Sequence, residues 1–174
     1  MLCEVHFTTP PGQEVEISWH FPTQFVAENL ENILPDWDSP HLQIILVLQQ
    51  SRFPLDTSNA EIVAEKDCLR ERFLDFAKAS ISLLQKAGFS GDYIDPKTGY
   101  SGHSTPGSMI HDDTAVIAAL RGFRVTRNDC FVLHHPVWDT NIYPSILMIG
   151  ADVESAIPIL VEAASKQGWT LTNC

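Results

Sequence analysis

The run Glu61-Ile-Val-Ala-Glu-Lys-Asp-Cys-Leu-Arg-Glu-Arg-Phe-Leu-Asp-Phe-Ala-Lys-Ala-Ser-Ile-Ser-Leu-Leu-Gln-Lys-Ala-Gly88 decides the fold class. Leu69, Phe73, Phe76, Leu83, Leu84 and Ala87 recur at three- and four-residue spacing, while Lys66, Arg70, Glu71, Asp75 and Lys78 take the other face. That period predicts one amphipathic helix over residues 61–87, closed by Gly88 in the left-handed C-terminal position. It reads as a packing element, and Cys68 within it as core. On its N-terminal side, residues 41–50 hold a nearly continuous apolar run that suits a central strand covered on both faces. On its C-terminal side, residues 89–94 read as a short strand ended by the turn Asp95-Pro96-Lys97-Thr98-Gly99. A long helix between two strands predicts a mixed α/β domain.

Working outward, residues 2–8 alternate apolar and polar side chains, Pro10-Pro11-Gly12 makes a turn, and Val15, Ile17 and Trp19 resume the alternation. This predicts a hairpin. Thr23 caps a helix reaching about residue 34, with Phe25, Val26, Leu30, Ile33 and Leu34 as its apolar stripe and Pro35 as its stop. Toward the C-terminus, a segment with Gly99, Gly102, Pro106 and Gly107 runs to about Ile110. Loops of that length are uncommon in compact domains unless they bind or cover something. Asp112 or Asp113 caps a short helix over residues 114–120, which Gly122 closes. Residues 143–149 form another apolar strand, and a last helix spans residues 154–166 with Pro158 in its first turn. The final residues are a short strand or a tail. With no internal repeat or linker, residues 1–174 read as one domain.

Twenty-two acids against 11 lysines and arginines leave a net charge of −11. Such a surface repels a polyanion, which excludes nucleic-acid binding. No apolar run approaches the ~20 residues of a membrane helix. The first lysine or arginine is Arg52, after Glu4, Glu14, Glu16, Glu28 and Glu31, so the N-terminus is not a transit peptide, and no signal-peptide segment is present. A cytoplasmic protein is the expectation. Cys3, Cys68, Cys130 and Cys174 are scattered without a Cys-x-x-Cys pair, which predicts reduced thiols and neither a zinc site nor a disulfide framework.

No glycine-rich phosphate loop and no His-Glu-x-x-His is present. Gly102-His103-Ser104-Thr105-Pro106 approaches a nucleophile elbow, but Pro106 stands where the second glycine belongs. Asp112-Asp113 reads as a helix start rather than a catalytic dyad. Tyr93, Tyr100, Trp138 and Tyr143 read as core or loop anchors. The densest group of soft or ligand-capable side chains lies in residues 122–138. There Asn128 and Asp129 precede a Cys-Phe-Val-Leu strand that opens on Cys130 and is followed by His134, His135 and Trp138. A free cysteine most often serves as a small hydrophobe. Adjacent histidines on a strand face opposite ways, so His134 and His135 do not share one metal.

Read together, several segments resemble one known family. They are Glu71-Arg72-Phe73, Ala77-Lys78, the run from Ala87-Gly88-Phe89 through Asp95-Pro96-Lys97-Thr98-Gly99, Gly122-Phe123-Arg124-Val125, and Cys130 with His135 and Trp138. The order and spacing resemble the CblD cobalamin trafficking family, the methylmalonic aciduria and homocystinuria type D proteins. The likeness is densest over residues 70–150 and covers most of the chain.

The resemblance implies a nitroreductase-like mixed sheet flanked by helices, with no flavin bound. It implies a non-enzymatic adaptor that binds CblC, the protein that carries and processes cobalamin. Such an adaptor routes the cofactor to methionine synthase in the cytosol or methylmalonyl-CoA mutase in the mitochondrion. It also implies that a cysteine thiolate, from a Cys-Cys pair in the family, ligates the cobalt of cobalamin held by the partner. This chain binds no metal or cofactor of its own on that reading, and it has no catalytic residue. Cys130 is the candidate cobalt ligand, with Asp129 its neighbour.

Between Gly122 and Trp138 the chain is one residue shorter than the family pattern and holds one cysteine. Counted forward from Gly122-Phe123, Cys130 falls on the first of the pair. Counted back from His135 and Trp138 it falls on the second, with Asp129 on the first. A one-residue slip reverses the face a side chain presents. Arg121, Arg124 and Arg127 are close in sequence and favour a thiolate, while Asp129 opposes it. The alternative function on the same fold is a flavin- or cobalamin-dependent reductase, for which a yellow protein or saturable FMN binding would be the sign.

Overall fold

The computed structural model describes residues 4–128 and 130–173, so Cys3, Asp129 and Cys174 lie outside the described residues. The chain opens with the expected hairpin, β1 (Glu4–Thr8) against β2 (Glu14–His20), with Val5 opposite Ile17 and Phe7 opposite Val15. Thr23 caps α1 (Gln24–Glu28) by accepting from the Val26 amide at 3.3 Å. The single helix expected to residue 34 is broken, however. The Asn29 amide and its side-chain Nδ2 both donate to the Phe25 carbonyl, and a separate turn, α2 (Leu30–Ile33), follows. This local competition for a carbonyl re-aims the first turn. Phe25, expected in the buried stripe, is therefore 57% exposed, beside Phe21 at 79%.

Next come β3 (Gln43–Gln50) and α3 (Ala60–Lys86), the latter capped by the Asn59 side chain and ended with Gly88 at φ +85°. Leu69, Phe73, Phe76 and Leu84 are buried as the period requires. Ala87 and Cys68 are exposed, so neither belongs to the core to which the sequence assigned them. At 100° per residue Cys68 falls outside the arc that meets the sheet, whereas Ala87 is the C-cap, past the last helical turn. Four elements follow: β4 (Gly91–Ile94), α4 (Asp113–Arg121), β5 (Arg124–Arg127) and β6 (Phe131–His134). The chain ends with β7 (Ile142–Ile149), α5 (Val153–Lys166) and β8 (Thr170–Asn173). Pro158 is the sixth residue of α5 and lies beyond its first turn. Pro158 and Glu154 are both exposed, so the Glu154 carbonyl that loses its helical donor faces water.

Six strands form one sheet in the order β4-β7-β3-β2-β1-β8, and every pairing is antiparallel. The mixed sheet expected from the family resemblance is corrected here for a topological reason. β3 and β4, joined through α3, run parallel to each other, but β7 is inserted between them and runs against both. Ile45 and Val47 of β3 meet α3 and α5 on one face, while Ile44, Leu46 and Leu48 meet α1, α2, α4 and β6 on the other. That is why the strand is apolar throughout. Among the described residues no helix is long and apolar enough to cross a membrane.

The long loop after β4 covers something, as its length suggested. Ser101 bridges back to Ile94, and the loop wraps the free edge of β4. Its organiser is the buried Asp92 carboxylate, which accepts from the His103 and Ser104 amides at 3.1 Å each and from the Ser104 hydroxyl. Ser104 is thus committed to Asp92, while the His103 ring meets Gln85 at 2.9 Å. The hydrolase-like arrangement is absent from this pair.

At Gly107 the loop lies directly on α2, where an added Cβ would stand 2.0 Å from the Asn32 carbonyl oxygen. Backbone cannot yield as a side-chain tip can, so Gly107→Ala should lift the loop and cost about 1–3 kcal/mol. Denaturant unfolding of the variant checks this.

Candidate functional site

β5 and β6 form a second, two-stranded sheet in which Arg124 is opposite His134 and Arg127 opposite Phe131. Leu133 joins the core below α4, while Val125 and Phe131, on the same face of the ribbon, remain exposed. Cys130 stands at the turn end of this hairpin, immediately before β6, and is exposed. Its carbonyl accepts from the Asn128 amide at 3.1 Å, which closes the turn. Asp129, the neighbour named from the sequence, lies outside the described residues. Phe131 is 59% exposed, and the Arg127 guanidinium lies 5.5 Å from its ring centre.

Of the three arginines expected near the thiol, only Arg127 is at that end of the hairpin. Arg124 pairs with His134 at the far end, and Arg121 turns inward. Arg121 reaches Glu4 at 3.1 Å, Glu16 at 3.7 Å and the Ser18 hydroxyl at 3.1 Å. Burial, then the Arg121 charge, pushes the nearby His20 down to about 4, so it stays neutral at pH 7. Glu4, His6 and Glu16 bring ligand atoms within 4.8 Å of one another, a group that sequence spacing does not show. The Arg121 contacts make it an ion-pair network between the β1–β2 hairpin and α4.

The two histidines diverge as alternation predicts. The His134 ring meets Asp139 Oδ1 at 2.6 Å and Arg124 Nη2 at 3.0 Å through Nδ1, and the Thr126 hydroxyl at 2.7 Å through Nε2. His135 is buried; its Nδ1 accepts from the Val137 and Trp138 amides at 3.2 and 3.1 Å. Nε2 therefore carries the proton and donates to Glu16 at 3.1 Å. Burial works to raise the Glu16 carboxyl, but the His135 bond and the Arg121 charge outweigh it and hold it below the usual range. The His135 ring stacks on Trp138 with centres 4.1 Å apart, and Trp138 donates to Glu14 at 2.8 Å. Both histidines are structural.

Beside Cys130 lies a cleft of about 560 Å³ between α3, the 95–99 turn, the start of α4, β6 and β7. Val63 and Arg70 come from α3, Ile110, His111 and Asp113 from the approach to α4, and Tyr143 from β7. The Arg70 side chain holds Asp95 through Nε at 2.8 Å and Nη2 at 2.5 Å, and so fixes the turn that forms one wall. That double bond to Arg70 keeps the Asp95 carboxyl below its ordinary value.

A depressed carboxylate stabilises the fold above the unfolded pKa, and that stabilisation is lost as pH falls through the folded value. Arg70→Ala should therefore cost about 1.5–3 kcal/mol at pH 7. The difference from wild type should shrink in unfolding experiments at pH 3.

Asp112 caps α4 by accepting from the Ala115 amide at 3.0 Å, as the sequence suggested. Asp113, the other candidate cap, instead meets His111 Nδ1 at 2.8 Å. Burial raises the Asp113 carboxyl, and the His111 bond offsets part of that rise. His111 did not stand out in the sequence, because nothing near it signals a paired carboxylate two residues on. The site is thus an exposed thiol on a small hairpin, set at the mouth of a cleft in an antiparallel-sheet α/β protein.

Residues 7–160 match the family described as Methylmalonic aciduria and homocystinuria type D protein, and the chain belongs to that family. It is 24% identical over 149 residues to the cobalamin trafficking protein CblD of Gallus gallus, which covers 83% of this chain and 49% of that protein. Against the CblD of Mus musculus it is 24% identical over 147 residues, again 83% of this chain and 49% of the relative. Against that of Homo sapiens the values are 25% over 137 residues, 77% of this chain and 46% of the relative. The chain spans about half the length of these relatives.

Proposed function

We propose that this chain is a non-enzymatic adaptor in cobalamin trafficking. It binds a CblC-like protein carrying cobalamin, offers the Cys130 thiolate to the cobalt, and routes the cofactor toward methionine synthase or methylmalonyl-CoA mutase. Family membership supports the cobalamin part, and the exposure of Cys130 at the mouth of a cleft supports the coordination part. A thiolate is a soft donor suited to cobalt, and an exposed one at a hairpin turn can enter the coordination sphere of a metal held by another protein. The antiparallel sheet with helices on both faces is compatible with a nitroreductase-like fold, which we include in the reading. The site is in the cytoplasm on the same reading, and the cofactor is shared with the partner.

A titration of the chain into cobalamin-loaded CblC under reducing conditions tests the adaptor role. Saturable binding is expected; its absence at high micromolar concentrations would refute the adaptor.

A further inference from the structure

Cys130 shares its cleft with an open hydroxyl. Tyr143 lines the same walls, is 8% exposed, and its hydroxyl forms no hydrogen bond among the described residues. Burial raises the phenol, which stays protonated at neutral pH and is free to donate. The charges that act on it include Arg70, Asp113 and Asp67, all cleft residues, so the hydroxyl is aimed into the cleft. Unlike His111 Nε2 and Asp113 Oδ2, which are closed off, its oxygen remains accessible. Buried hydroxyls are normally paired, and one left open on a cleft wall is a ready contact for a bound acceptor.

The charges around the cleft say which acceptor. Arg70 is held by Asp95, Lys97 meets Asp67 at 3.4 Å, and Asp113 meets His111 at 2.8 Å. Asp112 accepts from the Ala115 amide at the N-terminus of α4, where the helix dipole balances its charge. Lys66 is left. It is half-buried on the cleft face of α3, one turn from Val63 and Arg70, and has no ion-pair or hydrogen-bond partner among the described residues. Next to Cys130 in the sequence, Arg127 and Asp129 bring one charge of each sign and cancel. One uncompensated cation and one open hydroxyl suit a single carboxylate. Ile110 and Phe131, both exposed, give the cleft an apolar rim for the rest of such a molecule.

We propose that Cys130 is a modification site for small disulfides that carry carboxylates, one half of the reagent remaining in the cleft with its carboxylate on Lys66 and Tyr143. The Cys130 thiolate attacks one sulfur of the disulfide. The S–S bond of the reagent breaks, a new S–S bond to Cys130 forms, and the other half leaves as a thiolate with the electron pair, taking up the proton that Cys130 lost. The reagent is itself the oxidant, and one thiol is released for each one capped. A capped Cys130 has no thiolate to offer to cobalt. That consequence rests on the cobalamin reading above, whereas the exchange itself does not.

The test uses the full chain with Cys3, Cys68 and Cys174 changed to serine, so that Cys130 is the reporting thiol, and contains no cobalamin. Peptide mass spectrometry on the wild-type chain reads the same adduct without those substitutions. Two aromatic disulfides are compared, dithiobis(nitrobenzoate), with a carboxylate on each half, and neutral dithiodipyridine. Dividing each rate by that of the same chain unfolded in urea removes the intrinsic reactivity of the reagent. The net charge of −11 works against the anion. A native-state preference for it of about fivefold is nevertheless expected, shrinking as salt is raised. Lys66→Gln should remove about fivefold from the anionic rate and leave the neutral rate unchanged. Tyr143→Phe keeps the buried ring and should remove about threefold from the anionic rate alone. The proposal is overturned if the native chain shows no preference for the anionic probe, if Lys66→Gln slows both probes alike, or if Tyr143→Phe reacts as wild type.

Discussion

Cys130→Ser is expected to abolish the change in the visible spectrum that the wild-type chain produces on mixing with CblC-bound cob(II)alamin. Serine keeps the size and polarity of the side chain but replaces a soft thiolate with a hydroxyl that remains protonated near neutral pH. Cys130 is exposed at the end of a four-residue strand and contributes no core packing, so the variant should fold with wild-type stability. Cys68 is the internal control. It too is exposed, but on α3, and Cys68→Ser should leave the spectral change intact. An equal loss in both variants would point to thiol chemistry unrelated to the hairpin.

The largest expected effect on stability is at Phe76. This residue is fully buried under α3, stacked on Trp169 with ring centres 4.8 Å apart and planes within 21°, and Trp169 in turn tilts against Phe7 of β1 at 6.0 Å. The three rings tie the long helix to the strand at the far side of the sheet. Phe76→Ala removes the central ring, loses its transfer free energy and leaves a cavity that rigid neighbours cannot fill. A cost of about 3–5 kcal/mol is expected. That is a large share of the ~5–15 kcal/mol available to a domain of this size. Urea unfolding followed by tryptophan fluorescence measures it, with Phe76→Leu expected to retain part of the loss.

What could be read from the sequence was whatever a local period encodes. α3, β3, β7 and the β1–β2 hairpin each carry a run long enough for a spacing of 3.6 or 2 to stand out. Where a short-range competitor acted, the reading failed: at Asn29 a side-chain amide takes the Phe25 carbonyl and splits one expected helix into two. β5 was not foreseen as a strand, because its four residues are exposed or half-buried and show no alternation. The antiparallel sheet was hidden for another reason. The insertion of β7 between β3 and β4 joins segments about 50 to 100 residues apart, which no local period reports.

The site divides in the same way. Cys130 could be singled out as a residue type in a turn context, since Asn128 precedes it and a β-rich run follows, but its exposure could not. Exposure depends on the hairpin packing over the main sheet with its turn left at the surface. The cleft is assembled from α3, a turn, the approach to α4, β6 and β7, so its wall residues have no common signature in the chain. Arg121 shows the limit of reading charge by proximity in sequence: it sits nine residues from Cys130 yet serves Glu4 and Glu16.

The most direct measurement is the electron paramagnetic resonance spectrum of cob(II)alamin bound to CblC, recorded before and after addition of excess wild-type chain under reducing conditions. The account predicts a changed cobalt hyperfine pattern as a sulfur from Cys130 enters the axial position. An unchanged spectrum, with complex formation verified in the same sample, would contradict it.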